Sequence, residues 1–247
     1  METRLGKWLE ALLTFLYPPV CQICGTARAG AGEGYVCGRC WSRAGGVRFV
    51  QPPYCERCGL PSPGEITHAF KCANCRDLEL HFTQARAAVV ATGLLLDVIH
   101  RYKYRRALWF EPFLAGLLIR QSGPGLTGQG WDALVPVPLH PVKEREREFN
   151  QAARLAGHLG RATGLPVERR LVERVRFTPT QTALSRTERT RNVQRAFRVR
   201  PGRDLTGRRF VVIDDVLTTG ATTSACARAL REAGAADVWV WTVARGQ

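Results

Sequence analysis

Two carboxylates stand side by side in the stretch RFVVIDDVLTTGATTSACARALREA, residues 209–233. Phe210 to Ile213 are all apolar, enough for a strand buried on both faces, and Asp214 and Asp215 follow at its end. The small-residue turn Thr218-Thr219-Gly220-Ala221-Thr222 comes next, then Ala225, Ala229, Leu230 and Ala233 at helical spacing. A strand, a glycine turn and a helix start aim backbone N–H groups and a positive helix end at one point. That is a phosphate site, to which threonine hydroxyls add donors. The two acids cannot serve the phosphate. They suit the donating hydroxyls of a vicinal diol, or a hydrated Mg²⁺. Phosphate, diol and metal together describe a phosphorylated ribose.

The string IDDVLTTGATT resembles the phosphoribosyl-pyrophosphate (PRPP) signature of type I phosphoribosyltransferases: apolar residues, two acids, an apolar pair, then Thr-Thr-Gly-x-Thr. The resemblance implies PRPP contacts along Asp214, Asp215, Val216, Leu217, Thr218, Thr219, Gly220, Ala221 and Thr222, with Mg²⁺ accompanying the ligand. In purine-salvage members an acid after the pair serves the nucleobase. Thr218 stands at that position, which argues against ordinary purine salvage.

A second chemistry lies upstream. Eight of the nine cysteines form four C-x₂-C pairs: Cys21/Cys24, Cys37/Cys40, Cys55/Cys58 and Cys72/Cys75. This spacing lets two thiolates grip one metal from a tight knuckle. Gly25, Gly38 and Gly59 stand where knuckle turns want positive φ. Eight ligands make two Cys₄ sites with Zn²⁺ as the default metal. Their closed ligand sets are structural, replacing a core that a short segment builds poorly. Loops of about twelve residues favour successive ribbons, Cys21–Cys40 and Cys55–Cys75, while an interleaved pairing stays open. His68 and His81 read as bystanders, and Cys226 as a buried small residue.

The 247 residues hold one α/β domain plus a small appendage, and 45% hydrophobic content with six Trp supplies a core. The net charge of +15 is unevenly spread. Residues 1–80 carry nine Lys/Arg against seven Asp/Glu, and residues 81–247 carry 27 against 14. The run 169–209 holds thirteen Arg and three acids, a field that draws polyanions, nucleic acid above all. The knot Arg101-Tyr102-Lys103-Tyr104-Arg105-Arg106 interleaves rings and cations as single strands prefer; the alternative is that both tyrosines pack inward beneath solvated charges. Residues 8–20 are apolar but interrupted by Glu10, bounded by Pro18-Pro19 and too short to cross a membrane; Trp8, Leu9, Leu12, Leu13 and Leu16 share one helical face. A cytoplasmic protein without stable membrane insertion is expected.

Strands are predicted over 85–92 and 237–243, a buried strand with a Pro-stiffened turn over 132–139, helices over 94–103 and 108–120, and a loop at GPGLTGQG. The order of motifs resembles the ComF family of competence proteins: four cysteine pairs, VPVPL at 135–139, Arg147 with FNQ at 149–151, Gln181 to Ser185 with Arg189 and Asn192, then the PRPP string. Glu148 departs from the family, which usually has Gly there.

This resemblance implies an α/β fold: a type I phosphoribosyltransferase-like, mostly parallel twisted sheet with flanking helices over residues 81–247. A Cys-rich double zinc-ribbon domain with an amphipathic helix would precede it over residues 1–80. It places Val137, Pro138 and Leu139 at the pyrophosphate, Arg147 with Asp214 and Asp215 as the catalytic set, and a flap over 176–200. Arg101, Lys103, Arg105, Arg106, Arg186, Arg189 and Arg191 are then the candidate nucleic-acid contacts. The implied function is competence, with single-stranded DNA and a helicase or recombination mediator as partners. An active phosphoribosyltransferase on another acceptor, or a PRPP sensor, are the alternatives.

Overall fold

A computed structural model describes residues 19–64, 66, 68–76, 79–176 and 195–246. The expected N-terminal helix and Arg186, Arg189 and Arg191 lie outside the described residues.

Four strands form a wholly parallel sheet: β1 (Gln84–Val90), β2 (Ala133–Pro136), β5 (Arg209–Leu217) and β6 (Asp237–Arg245), in the order β1-β6-β5-β2. Parallel neighbours need crossover connections, and the helices supplying them cover both faces. β5 shows the consequence in its alternation. Val211 and Ile213 join one core with helices α3 (Gly93–Tyr104), α4 (Glu111–Leu126) and α6 (Gln151–Thr163). Phe210 and Val212 face the other core with helix α7 (Ala221–Glu232) and the short antiparallel pair β3 (Val172–Arg174) and β4 (Phe197–Val199). By the same period of two, Asp214 falls on the α7 side and Asp215 on the α3 side. The remaining helices are α1 (Gly38–Ser42), α2 (Ala73–Arg76) and α5 (Pro141–Arg147).

Three expectations need correction. β5 runs to Leu217, so the acid pair lies within the ladder, with Asp214 opposite Thr242 of β6. GPGLTGQG is not all loop: α4 continues through Pro124 to Leu126. Leu126 is fully buried, and its packing outweighs the proline penalty near a helix end. Gly25 (φ 69°) and Gly59 (φ 64°) take the expected left-handed turns, whereas Gly38 opens α1 in helical conformation.

The zinc-ribbon segment is packed against the sheet. Cys21, Cys37 and Cys40 belong to the same core as Leu114 and Val89. Trp41 meets Phe113 edge to face at 5.4 Å. Gly59 lies so close to β1 that a Cβ would come within 2.8 Å of the Ala85 carbonyl oxygen. No helix among the described residues is long and apolar enough to cross a membrane.

Candidate functional site

β5 carries Asp214 and Asp215 to the edge of the core, 9% and 2% exposed. The Asp215 N–H donates to Asp214 Oδ1 at 2.9 Å. On the α3 side Lys103 Nζ stands 2.7 Å from Asp215 Oδ2. That contact is an ion pair that covers the buried Oδ2, which has no aligned hydrogen-bond donor among the described residues. Burial, and then the charge of Asp215, pushes the Asp214 carboxyl up to about 7, with Lys103 pulling the other way.

The turn after β5 wraps a small cleft lined by Asp214 and Val216 through Thr223. Gly220 takes φ 79°, a left-handed conformation, and a Cβ there would abut the Phe82 ring at 3.6 Å. Thr219 Oγ1 accepts from the Ala221 N–H at 3.3 Å, and α7 starts at that residue. The amides of Thr218, Thr219 and Gly220 have no backbone acceptor among the described residues. N–H groups without a backbone acceptor among the described residues, just ahead of a twelve-residue helix and beside two acids, are what the ribose-phosphate reading requires.

Val137 continues β2 towards β5, its N–H donating to the Ile213 carbonyl at 2.9 Å. Asn150 Nδ2 clamps the Val137 carbonyl at 3.0 Å. Pro138 and Leu139 then line a cavity of about 950 Å³ between this turn, α6 and the β3–β4 pair. Its walls include Arg154, Arg169, Arg170, Arg174, Arg198 and Arg200 against only Glu144 and Glu173. Glu173 is engaged by Arg198 at 2.5 Å and Arg200 at 3.6 Å. Arg147 lies over the Tyr104 ring at 4.9 Å and donates to Gln151 Oε1 at 2.9 Å. Glu148 takes φ 67° as the left-handed cap of α5, which explains a glycine preference there, and its exposed carboxylate pairs with Arg106 at 2.9 Å.

The basic knot on α3 is therefore divided by helical geometry. Tyr102 is fully buried and donates to Glu111, while Tyr104 is half exposed. Arg101 pairs with Asp97 and donates to the Gln22 carbonyl in the first knuckle at 2.9 Å. Arg105 is exposed. Lys103 stands apart from these three, turned inward onto Asp215, which places it at the acid pair and not on an outer cationic surface.

Both cysteine clusters are sequential: Cys21, Cys24, Cys37 and Cys40 converge, as do Cys55, Cys58, Cys72 and Cys75, each set within 4.8 Å. Observed S···S separations of 3.9, 3.9 and 3.6 Å match the edge of a tetrahedron whose Zn–S bond is about 2.3 Å. Backbone N–H groups of Cys37 and Cys72 donate to Cys21 and Cys55 sulfurs at 3.3 Å, as outer-shell partners of a thiolate would. Burial and the neighbouring thiols push Cys40 up to about 12, so four thiolates need a divalent cation to coexist here. The donor sets fit zinc. His68 and His81 belong to neither cluster, and Cys226 is fully buried.

Three features escaped the sequence reading. A run of cations gives no sign that Lys103 is the one that turns inward. Glu111 is a buried hub, receiving Tyr102 at 3.0 Å, His158 at 2.7 Å and the Arg154 guanidinium. Arg245 ends the apolar run VWVWTVAR and is 3% exposed. A lone cation closing a buried strand was the available signal.

Residues 12–77 match the double zinc ribbon domain family. The chain is 31% identical over 201 residues to "Competence protein F" of Haemophilus influenzae, covering 78% of this chain and 85% of that protein. It is 32% identical over 232 residues to "DNA utilization protein YhgH" of Escherichia coli strain K12, covering 92% and 97%. With "Competence protein ComFC" of Bacillus subtilis the identity is 29% over 217 residues, covering 83% of each. Among solved structures, the glutamine PRPP amidotransferase of B. subtilis overlaps 44% of this chain and 21% of its own, at 26% identity and a TM-score of 0.29.

Proposed function

We infer a role in natural transformation from one premise: the chain belongs to the ComF family of competence proteins. In this reading it handles incoming single-stranded DNA in the cytoplasm, and its transferase-like half (81–247) binds PRPP while its zinc-binding half (1–80) contacts partners. A competence helicase or recombination mediator is the expected protein partner.

The observation that carries the PRPP reading is Asp214, with Asp215 beside it, lining one small cleft with residues 216–223, where the amides of residues 218–220 have no backbone acceptor among the described residues. Asp214 and Asp215 would accept from the ribose hydroxyls, and the amides and hydroxyls of Thr218 to Thr222 would hold the 5-phosphate. The turn Val137-Pro138-Leu139, with Arg147 beside it, would face the pyrophosphate. Mg²⁺, when bound with the ligand, supplies charge neutralisation on the departing oxygens. Arg147 and the cavity arginines would add fixed positive charge where negative charge develops.

Calorimetric titration of Mg²⁺–PRPP into the wild type and into Asp214→Asn/Asp215→Asn tests this site. Binding by the wild type alone supports it, and no binding by either removes it. Contact with DNA through phosphates should weaken steeply with salt. A single-strand affinity unchanged between low and high ionic strength would exclude the nucleic-acid reading. Transfer to another acceptor has one specific support, the cavity of about 950 Å³ opening directly beside Pro138 and Leu139. Its signature is pyrophosphate release that depends on an added acceptor.

A further inference from the structure

The last residue of β6 joins two parts of the molecule that no shared chemistry requires to be neighbours. Arg245 is paired in register with Leu217 on one side and Val90 on the other, so its backbone sits where β5 gives way to the phosphate loop. Its side chain turns towards the second cysteine cluster. Nε donates to the Cys58 carbonyl at 3.1 Å, and Nη2 reaches Cys58 Sγ at 3.4 Å. Nη1 is shared among the carbonyls of Leu217 at 2.9 Å, Thr218 at 2.8 Å and Gly246. A guanidinium that is 3% exposed thus spends every nitrogen on these two neighbours.

Each end has a physical consequence. Zinc bound by four thiolates leaves a net negative centre, and a buried guanidinium that cannot lose its proton offsets part of that charge. Among the described residues, no arginine makes the corresponding contact to a sulfur of the first cluster. At the other end, the peptide unit is planar and trans, so a carbonyl drawn one way aims the N–H of the same unit the opposite way. The Leu217 and Thr218 carbonyls share their units with the Thr218 and Thr219 amides. Arg245 therefore turns those two amides away from itself. The Gly246 N–H, donating to the Leu217 carbonyl at 2.8 Å, holds the same unit.

We propose that Arg245 is a positioning residue that couples metal occupancy of Cys55, Cys58, Cys72 and Cys75 to binding of a phosphate-bearing ligand at residues 218–222. The coupling rests on the reading of that loop as a phosphate site. A metal-filled cluster fixes Cys58 and with it the guanidinium, and the guanidinium fixes the orientation of the donors. Because such coupling is reciprocal in affinity, ligand in the loop must tighten binding of the second metal, which is expected to show as slower loss of that metal.

The test is zinc release from the full zinc-loaded chain into a chromophoric chelator, with and without Mg²⁺–PRPP, alongside a direct calorimetric titration. The expected result is two release phases, one of them slowed at least about fivefold by ligand. Arg245→Met should retain two zinc ions per chain, bind the ligand more weakly, and lose the ligand-dependent slowing. Arg245→Lys, with a point charge but no fork, serves where the methionine variant does not fold. Ligand that binds the wild type without changing either phase overturns the coupling, as does a slowing that persists in the variants. If the titration shows no binding at all, the phosphate-site reading has failed separately. The coupling falls with it, and basal release, faster for one zinc in the variant, then tests only the hold of Arg245 on the second cluster.

Discussion

Removing the cation that faces Asp215 should produce a stability loss that depends on pH in a defined direction. In Lys103→Met the partner 2.7 Å from Asp215 Oδ2 disappears, while side-chain exposures of 18% for the lysine and 3% for the aspartate leave little water to replace it. Two unit charges at that separation attract by about 6 kcal/mol at an effective dielectric of about 20. Desolvation offsets part of this. Stranding the buried carboxylate should therefore cost about 3–5 kcal/mol where it is ionised.

Asp214 amplifies the effect, since its carboxyl is already pushed up to about 7 by burial and by Asp215, and Lys103 is what restrains it. Its folded value lies above its unfolded value, so the native state holds a proton that the unfolded chain has released. Stability falls as pH rises from the unfolded value through the folded one, and the cost is complete above it. The variant should thus lose most at about pH 8 and recover part of the loss at about pH 5.5, where Asp214 holds its proton. Urea unfolding in zinc-containing buffer at the two pH values measures this. The double variant Lys103→Met/Asp215→Asn should regain at least about 2 kcal/mol at the higher pH, because the Asp215 carboxylate is no longer stranded and no longer repels Asp214. A loss that is equal at both pH values, or a double variant no more stable than the single one, would refute the electrostatic account.

The same titration predicts that Mg²⁺–PRPP affinity weakens below about pH 7, by up to tenfold per pH unit, because Asp214 must give up its proton to accept from a diol or metal. Calorimetry across pH checks this, and Asp214→Asn should abolish the slope. Gly220→Ala should lower stability by about 1–2 kcal/mol and weaken PRPP binding, because φ 79° strains any side chain, while the new methyl would make only ordinary contact with Phe82 at 3.6 Å. Thermal melting and titration report the two effects, and a variant of unchanged stability counts against the strain argument. Glu111→Gln should cost about 2–3 kcal/mol in denaturant unfolding, since it removes the charge that Arg154 and His158 face at the buried end of α4. A change within about 0.5 kcal/mol would mean that the network is merely accommodated.

What was legible in the sequence was local. The four C-x₂-C spacings pointed to two metal clusters, because two thiolates on one knuckle are placed to grip one metal. The apolar run, two acids and threonine–glycine turn determined a buried strand feeding a tight turn and a helix, because each step follows from backbone chemistry within a few residues. The pairing of the knuckles remained open until the chain was folded, since spacing alone permits both arrangements. Which residues complete the site was decided only by tertiary structure. Lys103 and Asp215 are over a hundred residues apart, and the helical turn of α3, not its composition, selects this one cation from a run of four. Arg245 and Cys58 are 187 residues apart and meet because β6 lies between β1 and β5, with the second knuckle resting on β1. Such contacts depend on strand order and on the alternation of side chains across a sheet, which a linear pattern does not carry.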